Sequence, residues 1–200
     1  MKLRGCIVCI FLVVAGCASV PSFSPPSEES LRVFQQRERL LEKIHSWELS
    51  GRVAVQSSHG AWNGNLHWVK TPGSFDIGLS TPLGQSVFLL HDDRHETVLH
   101  LSDGATYYDD NAENILDKQL GWRLPINNLQ YWILGRFAPN TKHSLLLNEH
   151  GFLEQLRQSG WDVQIKRYTH IDDVDLPSKM FFGNGSINVR LVIDEWAVNN

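Results

Sequence analysis

No cysteine occurs beyond position 17. The chain has 200 residues and three cysteines, and Cys6, Cys9 and Cys17 all fall in its first seventeen positions. The remaining body therefore contains no internal disulfide, and a lone exported cysteine needs another use. Long apolar runs are also missing. The longest, residues 7–14, is far shorter than the roughly 20 residues a membrane-spanning helix requires. Positive balance is absent too: 18 Lys and Arg stand against 22 Asp and Glu, for a formal charge of −4. No basic cluster breaks that balance, so neither nucleic acid nor anionic lipid is expected to attract the chain generally. Contact with a membrane must then come from attached lipid and apolar groups. The chain has no Gly-x-x-x-x-Gly-Lys-Ser/Thr loop to cradle phosphates and no Gly-x-Ser-x-Gly elbow. Nothing in it points to nucleotide-driven work, to a cofactor or to an enzyme.

What is present begins at the N-terminus. Lys2 and Arg4 precede the apolar run 7–14, which closes on Val14-Ala15-Gly16-Cys17. This order of charge, apolar run and small residues before a cysteine reads as a bacterial lipoprotein signal, cut before Cys17 with lipid attached to that residue. The alternatives are an uncleaved signal anchor or an ordinary signal cut nearby. Cleavage removes Cys6 and Cys9 and leaves 16 basic residues against 22 acidic ones, a charge of −6. Residues 18–30, with Pro21, Pro25 and Pro26, form a tether. In extended form it reaches roughly 40 Å. The domains are thus 1–16, a removed signal; 17–30, lipidated cysteine and tether; and 31–200, one soluble domain.

Periodicity predicts the elements of that domain. Leu31, Phe34, Leu41 and Ile44 recur at helical spacing across residues 31–44, with Val33 and Leu40 widening the stripe. Alternation at period two follows. Trp47, Leu49, Gly51, Val53 and Val55 share one face, and the pattern returns in Trp62-Gly64-Leu66-Trp68, Phe75-Ile77-Leu79, 85–91 and 97–102. Turn signals separate these runs: His59-Gly60, Pro72-Gly73, Pro82-Leu83-Gly84 and Asp103-Gly104. Two helical pieces, 111–120 and 127–134, end near Gly121 and Gly135. A second β run starts near Ser144 and includes 153–156, Trp161-Val163-Ile165, 179–182 and Ile187-Val189-Leu191-Ile193. The fold class is α+β, a strongly curved antiparallel sheet packed on a few helices.

Three groups of residues are candidates for chemistry. His91 and His95 are four apart but sit in a polar hairpin tip, where strand and turn geometry does not bring both imidazoles to one metal. The segment His170-Ile171-Asp172-Asp173-Val174-Asp175 lacks the glycine and closing glutamate of a calcium loop and reads as a solvated turn. Seven tryptophans, Trp47, Trp62, Trp68, Trp122, Trp132, Trp161 and Trp196, either fill a core or line a cavity within the sheet. Spacing leaves both open.

The strand from Trp47 to Val55 and the loop Pro82-Leu83-Gly84 carry a family resemblance. So do Leu120-Gly121-Trp122-Arg123-Leu124-Pro125-Ile126, running into Leu129-Gln130-Tyr131-Trp132-Ile133-Leu134-Gly135, and the closing strand through Arg190, Leu191, Ile193 and Trp196. Together they resemble the LolB family of outer-membrane lipoprotein receptors. The resemblance implies an open, incomplete antiparallel β-barrel of LolA/LolB type, wrapped over short helices and enclosing an apolar cavity for acyl chains. It also implies a monomer anchored on the periplasmic side of the outer membrane. The implied partners are the periplasmic carrier LolA, lipid-modified lipoproteins and outer-membrane lipid. Ala18 after the lipidated cysteine, rather than aspartate, agrees with outer-membrane sorting.

The resemblance also assigns residues. Pro82, Leu83 and Gly84 become a membrane-inserting loop, with Leu83 projecting toward lipid to help release cargo. Pattern alone favours a loop leucine folded back on the core. Strand parity nominates Trp47, Leu49, Val53, Trp62, Leu66, Trp68, Ile77 and Leu79 for the acyl cavity, with Trp122 and Trp132 as a plug. Parity does not say which face is core and which is pocket. A competing reading is an assembly lipoprotein that uses its sheet edge as a protein docking surface.

Overall fold

The structure, a computed structural model, describes residues 26–199 apart from positions 59 and 94. The expected leader, Cys17, the tether up to Pro25, and His59 of the first turn signal lie outside the described residues. Eleven strands form one antiparallel sheet: β1 (Ser46–Ser57), β2 (Gly60–Thr71), β3 (Ser74–Ser80), β4 (Ser86–Asp92), β5 (Thr97–Leu101), β6 (Thr106–Asp109), β7 (His143–Leu147), β8 (Leu153–Gln158), β9 (Trp161–Ile171), β10 (Val174–Gly183) and β11 (Ile187–Asn199). Their spatial order is β6-β5-β4-β3-β2-β1-β11-β10-β9-β8-β7. The sheet curves without closing, so β6 and β7 are its two edges. Helices α1 (Glu28–Leu41), α2 (Ala112–Leu120) and α3 (Ile126–Trp132) complete the fold. This is the curved antiparallel α+β sheet that periodicity predicts and the open, incomplete barrel that the family resemblance implies.

Alternation sets which side of each strand is buried. In β1 the buried residues are Trp47, Leu49, Gly51, Val53 and Val55, while Glu48, Arg52 and Gln56 are exposed. Because the side-chain period in a strand is two, this choice fixes the register with β2 and β11. Trp47 then lies opposite Lys70 and Val198, and Val53 opposite Gly64 and Leu191.

Three elements depart from the periodic reading. Helix α1 starts at Glu28 rather than Leu31, and Ile44 lies beyond its end. Ser27 explains the early start: its Oγ accepts the Ser30 N–H at 3.1 Å, with Glu28 and Glu29 in the positively polarised first turn. A segment rich in Ser, Pro and Glu reads as tether, yet its last residues also make a helix cap. Strand β6 has no strong pattern, because its residues are only half-buried or exposed and Tyr108 points outward. Strand β10 begins five residues before the expected Lys179, since Pro177 is accommodated beside a register shift in its pairing with β9.

The connectivity places the helices. The chain leaves the sheet at edge β6, crosses its concave face as α2 and α3, and rejoins at the opposite edge as β7. Asn111 caps α2 by accepting the N–H groups of Glu113 and Asn114 at 2.7 and 3.3 Å. Gly121 ends it in the left-handed region at φ 67°. From α2 and α3, the residues Ile115, Leu116, Ile126, Leu129 and Trp132 pack into the core.

Two buried polar side chains fasten these helices. Arg37 of α1 sits within the apolar stripe, donates to the carbonyl oxygens of Asp175 and Gly135, and stacks over Phe152 and Tyr168 at 5.3 and 4.9 Å. Burial lowers the Arg37 pKa and raises that of the Tyr168 phenol. Gln158 accepts from Trp132 Nε1 and the Ala138 N–H at 2.8 and 2.9 Å. It donates from Nε2 to the Ala138 carbonyl and Thr141 Oγ1, both at 2.7 Å.

Among the described residues, the eleven strands and three helices share one hydrophobic core. Gln158→Leu strands the Trp132 indole and both Ala138 backbone groups, so a loss of about 2–4 kcal/mol is expected. The check is the urea unfolding midpoint at an unchanged m-value.

Candidate functional site

Inside the curved sheet lies a cavity of about 60 Å³ whose lining residues are all hydrophobic. Of the ten residues nominated from the sequence, Val53, Leu66, Trp68, Ile77, Leu79 and Trp122 border it. Trp47, Leu49 and Trp132 are buried but stand away from it, as core. Trp47 packs edge-on against Trp68 and Trp196, with ring centroids at 5.3 and 5.8 Å. Trp132 packs on Trp161 at 6.2 Å.

Trp62 is half-buried and does not border the cavity. Its ring lies 6.0 Å from that of Trp122, which in turn lies 6.3 Å from Phe88. Trp122 belongs to the 121–125 link between α2 and α3, so this aromatic cluster joins the helical segment to the inner faces of β2 and β4. The register puts Trp62 beside the β1–β2 turn, at the end of the sheet that also holds the β3–β4 and β10–β11 connections.

Sequence reasoning missed the helical wall of the cavity, Leu116, Leu129 and Ile133, and its far wall, Phe88, Phe182, Val189 and Leu191. The alternation through β11 was a usable signal for Val189 and Leu191. Nothing in the short helical pieces distinguishes a cavity wall from ordinary core.

The second feature is the 81–85 connection between β3 and β4. The Thr81 N–H donates to the Gln85 carbonyl and the Gly84 N–H to the Thr81 carbonyl, each at 2.8 Å. Thr81 Oγ1 accepts the Gln85 N–H at 3.2 Å, and Asn65 Nδ2 donates to the Thr81 carbonyl at 3.2 Å. Pro82 suits the first corner of such a turn, and Gly84 takes φ 86° where a side chain would be strained. The turn is held from within and from β2, and it presents Leu83 at 92% exposure. Among the described residues, the next large hydrophobic residue by exposure is Tyr108 at 68%. A leucine folded back on the core is therefore not what the structure contains.

The remaining candidates have local roles. His91 Nδ1 lies 2.7 Å from Asp76 Oδ1 across the β3–β4 pair, and that hydrogen bond raises the His91 pKa. His95 lies in the connection to β5. The acidic segment forms the tight β9–β10 hairpin, with Asp172 at φ 49°. Among the described residues, no three His, Cys, Asp or Glu side chains converge as a metal site.

Comparison with known proteins agrees with this architecture. The model of the family described as Outer membrane lipoprotein LolB matches residues 45–196. A protein of Nitrosococcus oceani named outer-membrane lipoprotein LolB is 34% identical over 95% of this chain and 94% of its own length. Among solved structures, a DUF1329 family protein from Desulfovibrio piger superposes with a TM-score of 0.57 at 7% identity, covering 88% of this chain and 94% of that one. A LolA superfamily protein from Nitrosomonas europaea does so with a TM-score of 0.54 at 6% identity, covering 86% and 94%. At such identities the two structures speak for the fold alone. The family match runs from the residue before β1 into the second half of β11, and with the full-length relative it establishes that this chain belongs to the LolB family of outer membrane lipoproteins.

Proposed function

We propose that this protein receives lipid-modified lipoproteins from a LolA-type periplasmic carrier and deposits them in the outer membrane, sheltering their acyl chains inside the curved sheet. The observation that carries this reading is the all-hydrophobic cavity between the sheet and the α2–α3 segment. Lipid on Cys17 holds the protein at its destination. Because α1 is capped at Ser27, the connecting residues 18–26 number nine and span about 28 Å when extended.

Magnitudes set what the interior must do. At about 60 Å³ the cavity has room for about two waters' share of liquid volume, far less than an acyl chain. Loading therefore requires the wall formed by the helices to move outward. Burying about 16 methylenes is worth about 13 kcal/mol, enough to offset the loss of several aromatic contacts. The moving part is the start of α3. That helix has seven residues and no side-chain cap at Pro125, while its last residue, Trp132, is fastened to Gln158. The 121–126 segment can swing from that fixed end and draw Trp122 away from Trp62 and Phe88. Transfer then runs downhill if this interior suits acyl chains better than the carrier's and the bilayer suits them better still, with no nucleotide required.

Release uses Leu83, which stands clear of the body on a stiff turn. Leu83→Glu is expected to keep the fold and accept lipoprotein from the carrier, but to deposit it roughly 10- to 100-fold more slowly. That range corresponds to about 1.5–3 kcal/mol for a leucine entering lipid. A transfer assay into reconstituted vesicles reads it directly, and a normal deposition rate would overturn the role. For the interior, Leu129→Ala removes part of the helical wall. A stability loss of about 2–5 kcal/mol is expected, with stronger binding of an environment-sensitive apolar dye that a lipid-modified peptide displaces. If no variant or wild-type body binds the dye, the competing reading of a filled scaffold with docking edges at β6 and β7 gains the ground.

A further inference from the structure

The acidic net charge hides an uneven surface. On the outer face of the sheet, the register brings cations from four adjacent strands together. Arg52 of β1 lies opposite Val192 of β11, Val192 opposite Lys179 of β10, and Lys179 opposite Arg167 of β9. One step along, Arg190 of β11 lies opposite Phe181 of β10. Arg52 is matched by Asp194, through bonds of 3.0 and 2.8 Å. Arg167, Lys179 and Arg190 have no carboxylate within ion-pair distance among the described residues. Arg167 Nε donates to Ser178 Oγ at 3.1 Å, and both Lys179 and Arg190 lie over the Phe181 ring at 5.8 and 5.3 Å. Lys179 meets Arg167 at a register shift, and Asp194 acts on Arg167 as well as on Arg52, so Lys179 and Arg190 are the groove's cations left without a carboxylate among the described residues.

These four cations border a surface groove of about 460 Å³ together with Asn63 and Asn65. Pro82 lies on the same rim, one residue from the exposed Leu83. The bond from Asn65 Nδ2 to the Thr81 carbonyl holds the turn against the groove. A lipid surface entered by Leu83 therefore brings its headgroups to Lys179 and Arg190.

We propose that this groove binds the phosphates of anionic phospholipid headgroups in the membrane that Leu83 enters, turning the Leu83 face of an acidic protein toward the bilayer. The inference rests on reading Leu83 as lipid-facing. Guanidinium and ammonium groups are both suited to phosphate, and their effect near an anionic leaflet is additive and screened by salt.

Vesicle flotation of residues 18–200, the processed protein without its lipidated cysteine, tests it. The vesicles are phosphatidylcholine alone or phosphatidylcholine with about one-third phosphatidylglycerol, a composition chosen to give a strongly negative surface. About tenfold tighter binding to the anionic vesicles is expected at low salt, and loss of that difference at high salt. The double variant Lys179→Gln/Arg190→Gln should abolish the preference while keeping binding to neutral vesicles, and Lys179→Arg/Arg190→Lys should restore it. Leu83→Glu should reduce binding to both kinds. Equal binding to the two vesicles by the wild-type body, or a preference that survives the glutamine pair at an unchanged melting temperature, overturns the groove. Unchanged neutral binding in Leu83→Glu overturns the insertion reading instead, so the two failures are distinguishable.

Discussion

A curved sheet with hydrophobic side chains on its concave face must cover that face, because apolar area left in water costs about 25 cal/mol per Å². A closed barrel covers its own interior. Here the sheet stays open between β6 and β7, and the chain itself crosses the gap. The amide of Gln158, with all four of its hydrogen bonds made inside the protein, fixes the far end of that crossing through Trp132 and Ala138. Most other features follow from this arrangement. The α2–α3 segment is at once part of the core and, among the described residues lining the cavity, the wall not tied into the β ladder. A ligand that takes its place gains an apolar surface already shaped by the sheet.

That dual role accounts for a resting cavity too small for its proposed cargo. A permanently open pocket of acyl size would expose its lining to water or leave a void, and either costs stability. Filling the interior with Leu129, Ile133 and Trp122 avoids both while keeping them exchangeable for methylenes of similar character. Selectivity in such an interior comes from apolar volume rather than polar recognition, in keeping with cargo that shares only its lipid. Leu83 and the basic groove divide the remaining work at the surface. In the proposed account one offers apolar insertion and the other matches headgroup charge, and Pro82 on the groove's rim adjoins both.

Much of this was legible in the sequence, for a physical reason. Period-two alternation in Trp47 to Val55 and Ile187 to Ile193 reports a sheet with one buried side, and the turn residues at Pro72-Gly73 and Asp103-Gly104 report its hairpins. Five of the eight residues nominated by strand parity, Val53, Leu66, Trp68, Ile77 and Leu79, border the cavity because parity is a strict rule. Parity could not separate Leu49 from Val53, since both point inward and only the helices decide which is covered. Arg37 escaped notice because a basic residue in an amphipathic helix is normally solvated. Here the ring faces of Phe152 and Tyr168 and two distant carbonyls stabilise it in the interior. The basic groove was invisible for a different reason. Its members are spread from Arg52 to Arg190, and only the β1–β11–β10–β9 pairing makes them neighbours.

The central claim is that acyl chains occupy the space between the sheet and α2–α3. A photocrosslinking amino acid placed at Ile77, which faces inward on β3, tests it against the same group at His67, which faces outward on β2. With a lipid-modified peptide as cargo, the account predicts efficient capture from position 77, almost none from position 67, and loss of capture when excess acylated peptide competes. Equal capture from both faces, or none from position 77, would contradict it.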